Sequence, residues 1–154
     1  MSLKDRLKKD IESKEQSRVD WGKRKSDWLD SVNELNQQIQ NWFSDFKDEG
    51  LLEFKYTEKS NSEEYIGSYK VNVLHLCFAN GQEIIIEPMG TLIIGAWARF
   101  DIYVRGYNSG KYYILRYKDD GDTYSWKIAN PNDKRNVEPL TKEILEQIFD
   151  KWLS

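Results

Sequence analysis

His75 and Cys77 stand two positions apart in an apolar run. On a strand that spacing puts both side chains on one face, with Cβ atoms roughly 7 Å apart, the local arrangement of a thiol nucleophile and an imidazole base. The turn that follows argues against this chemistry. Asn80-Gly81 is the strongest turn signal in the chain, and a two-residue type I′ hairpin there sets Cys77 opposite Ile84 and His75 opposite Ile86. Burial among isoleucines raises a thiol pKa and makes it inert, so the expectation is two packed core residues.

Carboxylates offer a second chemistry. Glu53-Phe54-Lys55 has the Glu-x-Lys spacing that puts a metal ligand and a catalytic lysine on one strand face, and Glu83 and Glu87 share a face further on. The spacing resembles the Glu-x-Lys of the restriction-endonuclease-like nucleases, in which an acidic residue on an earlier strand precedes it, whereas what precedes Glu53 here has a helical pattern. An ordinary charged strand face is therefore expected. Asp119, Asp120 and Asp122 begin like a calcium loop, but the twelfth position from Asp119 is Asn130 rather than Glu, which leaves a hairpin turn. A single Cys makes no internal disulfide, and with a single His it cannot complete a structural zinc site. No glycine-rich phosphate loop and no Gly-x-Ser-x-Gly elbow occurs, so neither a nucleotide cofactor nor serine-hydrolase chemistry is expected.

The third candidate lies on residues 91–105, read as one long strand. Its even positions, Leu92 through Val104, are uniformly apolar and face the core. Its odd positions include Trp97, Arg99, Asp101, Tyr103 and Arg105, a mixture of aromatics and guanidinium groups suited to stacking and bidentate hydrogen bonds. Arg116 with Tyr112, and Lys127 with Ser125 and Thr123, extend this face if the neighbouring strands pair in the matching register. Arg99, Arg105, Arg116 and Lys127 would then bind a phosphate, a carboxylate or an acidic partner, while the aromatics stack a ring. Two features oppose this: Asp101 can neutralise the arginines, and a helix can cover the face.

These residues must be held by elements that the apolar period defines. Trp28, Val32, Leu35, Ile39, Trp42 and Phe46 step by four and three, a helix stripe that Phe43 widens. The phase continues back to Leu7 with fading apolar content, and Trp21-Gly22 is the expected break between a first helix and a second. After Gly50 the pattern turns strand-like for about eighty residues. Runs at 51–57, 64–79, 82–88, 91–105, 111–118 and 123–129 give an antiparallel meander of about six strands. A loop over 130–139 then leads to a helix capped by Thr141, with Ile144, Leu145, Ile148, Phe149 and Trp152 on one face. The expected class is α+β, with a polar helical arm at 1–24, a route to homo-oligomers, and a single domain at 25–154.

Composition agrees with one folded domain. The 154 residues include 6 Trp, 9 Tyr and 6 Phe, too many aromatics for a disordered chain despite a mean hydropathy of -0.77. The net charge of -3 exerts no overall pull toward nucleic acid or anionic lipid. No signal-peptide pattern is read at the N-terminus and the longest apolar run, 92–98, is too short to span a bilayer, so a cytoplasmic protein without a membrane partner is the expectation. A non-enzymatic binding protein, recognising a protein or small ligand through the Trp97–Arg105 face and needing no cofactor, is the leading functional reading. A metal-dependent hydrolase and a single-stranded nucleic-acid-binding module are the alternatives.

Overall fold

Asp20 opens the main helix by accepting a hydrogen bond from the Lys23 amide at 3.0 Å. In the computed structural model this helix, α2, runs Trp21–Trp42, preceded by α1 at Leu3–Ser17. Residues 2–17, 20–91, 96–107, 110–118 and 123–154 are described, with backbone alone at 12–17 and 134–135. The expected stripe is the buried one: Trp28, Val32, Leu35 and Ile39 are all 2% exposed or less. The helix ends at Phe43, and Phe46 belongs to a separate short turn, α3, at Ser44–Asp48.

Seven antiparallel strands follow in a simple meander: β1 Leu52–Glu63, β2 Gly67–Phe78, β3 Glu83–Gly90, β4 Ala98–Val104, β5 Tyr112–Lys118, β6 Tyr124–Asn130 and β7 Asp133–Pro139. The chain closes with α4 at Lys142–Leu153, whose Thr141 cap accepts from the Ile144 amide. The seventh strand comes from the segment expected to be a loop. Its residues are polar, but as an edge strand β7 is specified by backbone pairing of Ala129 with Val137 and Lys127 with Pro139, which leaves no apolar period to read. For the same reason the polar stretch 58–62 is strand in β1 rather than a connection.

The β2–β3 turn corrects the expected register. Only Gly81 has a positive φ, at 91°, while the Gly81 amide donates to the Phe78 carbonyl and the Phe78 amide to Gln82. That is a three-residue loop with a left-handed glycine bulge, not a type I′ turn. Pairing shifts by one: Cys77 faces Glu83, Leu76 faces Ile84 and His75 faces Ile85. A shift of one swaps the faces. Leu74, Leu76, Ile84 and Ile86 therefore pack with Phe100, Ile102, Ile114 and the helices, and His75 and Cys77 move to the opposite side.

The β1–β2 hairpin continues past its pairing with β3, which ends at Leu74 and Ile86. Val73 and Leu74, adjacent in sequence, are both buried, which marks where β2 changes the face it turns to the core. Past that point Tyr69 and Val71 join the cluster around Trp28, whose indole N–H donates to the Tyr69 hydroxyl at 2.9 Å. Glu63 clamps the hairpin to the end of β3, accepting from Tyr69 and from the Thr91 amide and hydroxyl. A Cβ on Gly90 would stand 3.1 Å from that carboxylate, so the close approach depends on glycine. Among the described residues no helix is long and apolar enough to cross a membrane.

Candidate functional site

The proposed binding residues do not share one face. Arg99, Asp101, Tyr103 and Arg105 lie on the side of the sheet opposite α2 and α4. Lys127 stands opposite Leu115, which in turn pairs with Arg99. Arg116 and Tyr112 sit across from Ala98 and Ile102, on the helix side, because strand alternation from Phe100 and Ile114 puts them there. Tyr112 meets Trp152 of α4 edge-on. Trp97 is the exception to alternation. It precedes β4, and its ring turns to the helix side, 6.3 Å from Trp28 and 5.3 Å from Tyr124. The expected cluster of Arg99, Arg105, Arg116 and Lys127 is thus split by the sheet. Ile93 and Gly95, and the aspartates at 119, 120 and 122, lie outside the described residues.

On the open side the charges satisfy one another. The Asp101 carboxylate, 2% exposed, accepts from Arg99 Nε at 2.9 Å and Lys111 Nζ at 3.4 Å. Arg99 also lies 4.2 Å from the centre of the Tyr113 ring. Glu87 binds Lys59 at 2.7 Å and the Tyr103 hydroxyl at 2.9 Å. Burial pushes its carboxyl up, but those two donors outweigh it and hold Glu87 below the usual range. Burial, then the Glu87 carboxylate, pushes the Tyr103 phenol up to about 12. Among the described residues the charges of Lys59, Glu87, Arg99, Asp101 and Lys111 on this face are thus paired with one another.

His75 and Cys77 belong to this network. Glu83 links His75 Nδ1 at 2.7 Å with Arg105 at 2.9 Å, and His75 Nε2 reaches the Thr57 hydroxyl at 2.7 Å. Hydroxyl, imidazole and carboxylate stand in the order of a nucleophile relay, yet Thr57 is on an exposed strand face and lines neither of the larger clefts described below. Burial and the Glu83 charge push the Cys77 thiol up, away from the reactive thiolate. Glu83 itself is held low, first by Arg105 and then by His75. Glu53 and Lys55 pair across the ladder with Cys77 and His75, and among the described residues no three His, Cys, Asp or Glu side chains converge to hold a metal ion.

Arg116 has the opposite character. It is 8% exposed, and its guanidinium donates to Ser31 Oγ of α2 across the helix–sheet interface. It lies 3.7 Å from the Tyr124 ring centre, 5.0 Å from Trp97 and 5.4 Å from Trp126. Among the described residues it has no ion-pair partner and its Nε has no hydrogen-bond acceptor; Glu34 and Asp27 act on it only through space. Burial accordingly lowers its pKa. A cleft of about 420 Å³ opens beside it, lined by Trp97, Tyr124, Arg24 and Ser31, with Asp20, Asp27, Asp30 and Glu34 among its residues. The Arg24 guanidinium lies 5.2 Å from the Trp97 ring, and its Nε is likewise buried without an acceptor among the described residues.

Two of the sequence-derived site residues, Trp97 and Arg116, therefore come together, and the other five do not join them. Arg24, Ser31 and Tyr124 went unnoticed in the sequence. The available signal was on α2, where Arg24, Ser31 and Trp28 lie on neighbouring turns of the side that meets the sheet. The fold and cleft define a small α+β domain with an aromatic-walled recess of mixed charge, holding the buried Arg116, between its main helix and its sheet. No protein family, curated protein or solved structure matches this chain.

Proposed function

We propose that the chain is a non-enzymatic binding protein that takes the anionic group of a small ligand, a carboxylate or a phosphate, between Arg116 and Arg24 beside the Trp97 ring. One observation carries this reading: a guanidinium buried to 8% exposure without a carboxylate partner among the described residues. Burying a charge costs several kcal/mol unless it is paired, and the aromatic faces around Arg116, at about 0.5–2 kcal/mol each, offset part of that without supplying a counter-charge. An anion in the cleft supplies the missing partner. The volume suits it, since small-ligand sites run roughly 300–1,000 Å³. Asp20, Asp27, Asp30 and Glu34 balance Lys23, Arg24, Arg116 and Lys118 around the cleft, so the lining carries no basic excess of the kind a nucleic-acid backbone needs, which favours a ligand with one anionic end.

Thermal denaturation with inorganic phosphate, acetate or benzoate added tests the reading and separates the two anion chemistries. At least one anion raises the wild-type Tm, because a ligand that binds only the folded state stabilises it by mass action. That rise disappears in Arg116→Met and shrinks in Arg24→Met, whose side chain is only half-buried. The reading is overturned if no anion shifts the wild type, or if Arg116→Met responds equally.

A further inference from the structure

A second recess lies at the far end of the molecule, between α3, the start of β1 and α4. It is a groove of about 690 Å³ with a floor of Phe43, Phe46, Phe78 and Phe149. Its ionisable side chains, Glu143, Glu146 and Asp150, are all acidic. Lys142 sits outside the lining and bridges Glu146 and Asp45. An apolar floor with an acidic rim fits an apolar helix stripe flanked by basic residues.

The chain carries such a helix. On α1, Leu3, Leu7 and Ile11 are spaced by four and lie on one face, yet they are 63%, 50% and 58% exposed. Lys4, Arg6, Lys8 and Lys9 flank them against Asp5 and Asp10, a basic excess over this half of the helix. An isolated helix of about 15 residues is marginal in water, so α1 needs a surface to hold it. Large apolar side chains this exposed need the same surface.

Chain length decides whose groove receives it. The groove begins at Phe43, at the far end of α2, about 33 Å from Trp21 at about 1.5 Å per residue. Folded back along α2 at the greatest possible reach of the connection from Ser17 to Trp21, Leu3 attains about 35 Å, but Leu7 only about 29 Å and Ile11 about 23 Å. Two of the three stripe residues, Leu7 and Ile11, fall short of the chain's own groove, so the stripe cannot lie along it. We infer that α1 docks its Leu3–Leu7–Ile11 stripe into the acidic-rimmed groove of a second copy of this chain. If the second chain returns the contact, the exchange is two-fold symmetric and closes, giving a dimer. This surface is independent of the Arg116 cleft and does not rest on the anion-binding reading.

Sedimentation of the full chain, up to about 0.5 mM protein, tests the assignment. The wild type forms a dimer whose population rises with concentration. Leu7→Glu in the arm abolishes it, and so does Leu51→Glu with Asp150→Lys in the groove. Leu7 and Leu51 are 50% and 47% exposed, so each variant keeps its fold, which far-UV circular dichroism checks. Raising salt from about 50 mM to about 500 mM weakens the dimer severalfold, because the basic arm and acidic rim attract. A monomeric wild type overturns the proposal. So does a dimer that survives the groove variant while Leu7→Glu abolishes it, since the arms then pair with each other.

Discussion

Arg116 and Ser31 are hydrogen-bonded across the helix–sheet interface, although 85 positions separate them in the chain. Ser31 in turn donates to the Asp27 carbonyl at 2.6 Å, so the neutral acceptor that α2 offers to a buried guanidinium is itself tied to its helix. The bond fixes the guanidinium at the wall of the cleft without neutralising it. An arginine held this way, with no ion-pair partner among the described residues, is a costly group for the fold.

On the open sheet face, Asp101 ought to be the most sensitive charge. Asp101→Asn keeps the shape but strips the partner from Arg99 and Lys111, whose side chains are 30% and 36% exposed and can turn toward water. A loss of about 1–3 kcal/mol in urea-unfolding stability is expected, below the cost of breaking a fully buried pair. A change under about 0.3 kcal/mol would mean the network contributes nothing.

Acid stability follows from Glu83 and Glu87, both held below the usual carboxylate range in the folded protein. The unfolded chain then binds protons that the folded chain does not, so this contribution is full above the unfolded value of about 4.3 and is lost as pH falls through the folded pKa values. Urea midpoints measured from pH 7 downward should decline less steeply below about pH 5 in Glu83→Gln with Glu87→Gln than in the wild type. Parallel curves would show that neither carboxylate is linked to folding.

Asn36 on α2 is 1% exposed, and neither atom of its amide has a hydrogen-bond partner among the described residues. Replacing it by an apolar group of similar volume removes an unsatisfied buried dipole. Asn36→Leu should raise unfolding stability by about 1–3 kcal/mol in urea denaturation, and a destabilised variant would reveal a partner for that amide.

The arm should be dispensable for folding at low concentration. Leu3, Leu7 and Ile11 lie at least half exposed, while Asp20, which caps α2, remains when residues 1–17 are deleted. Dilute truncated protein is expected to unfold within about 0.5 kcal/mol of the full chain. Insoluble or unfolded product would place α1 in the core.

Periodicity was enough for the elements that bury a stripe or a row. The steps from Trp28 to Ile39, the even row Ala98–Val104 and the Thr141 cap are local patterns whose burial physics leaves one solution, and the structure has all three. Elements without such a pattern escaped. Strand β7 is polar and exists through pairing alone, and the outer β1–β2 hairpin is held through its Tyr69 and Glu63 by Trp28 and Thr91, both distant in the chain.

Which side a residue faces was decided only in three dimensions. The left-handed glycine at 81 moved the β2–β3 register by one, which set Cys77 opposite Glu83 and His75 opposite Ile85, with both side chains in reach of the Glu83 carboxylate. Residue types alone made Trp97 and Arg116 suspect, as an aromatic and a guanidinium that stacking and anion recognition would use. Strand alternation placed Arg116 opposite to Arg99, while Trp97, off the end of β4, followed no alternation and turned to meet it. Sequence carries the period of a strand and the chemistry of a side chain. The face on which that chemistry is spent depends on turn geometry and strand ends, where a single residue inverts the outcome.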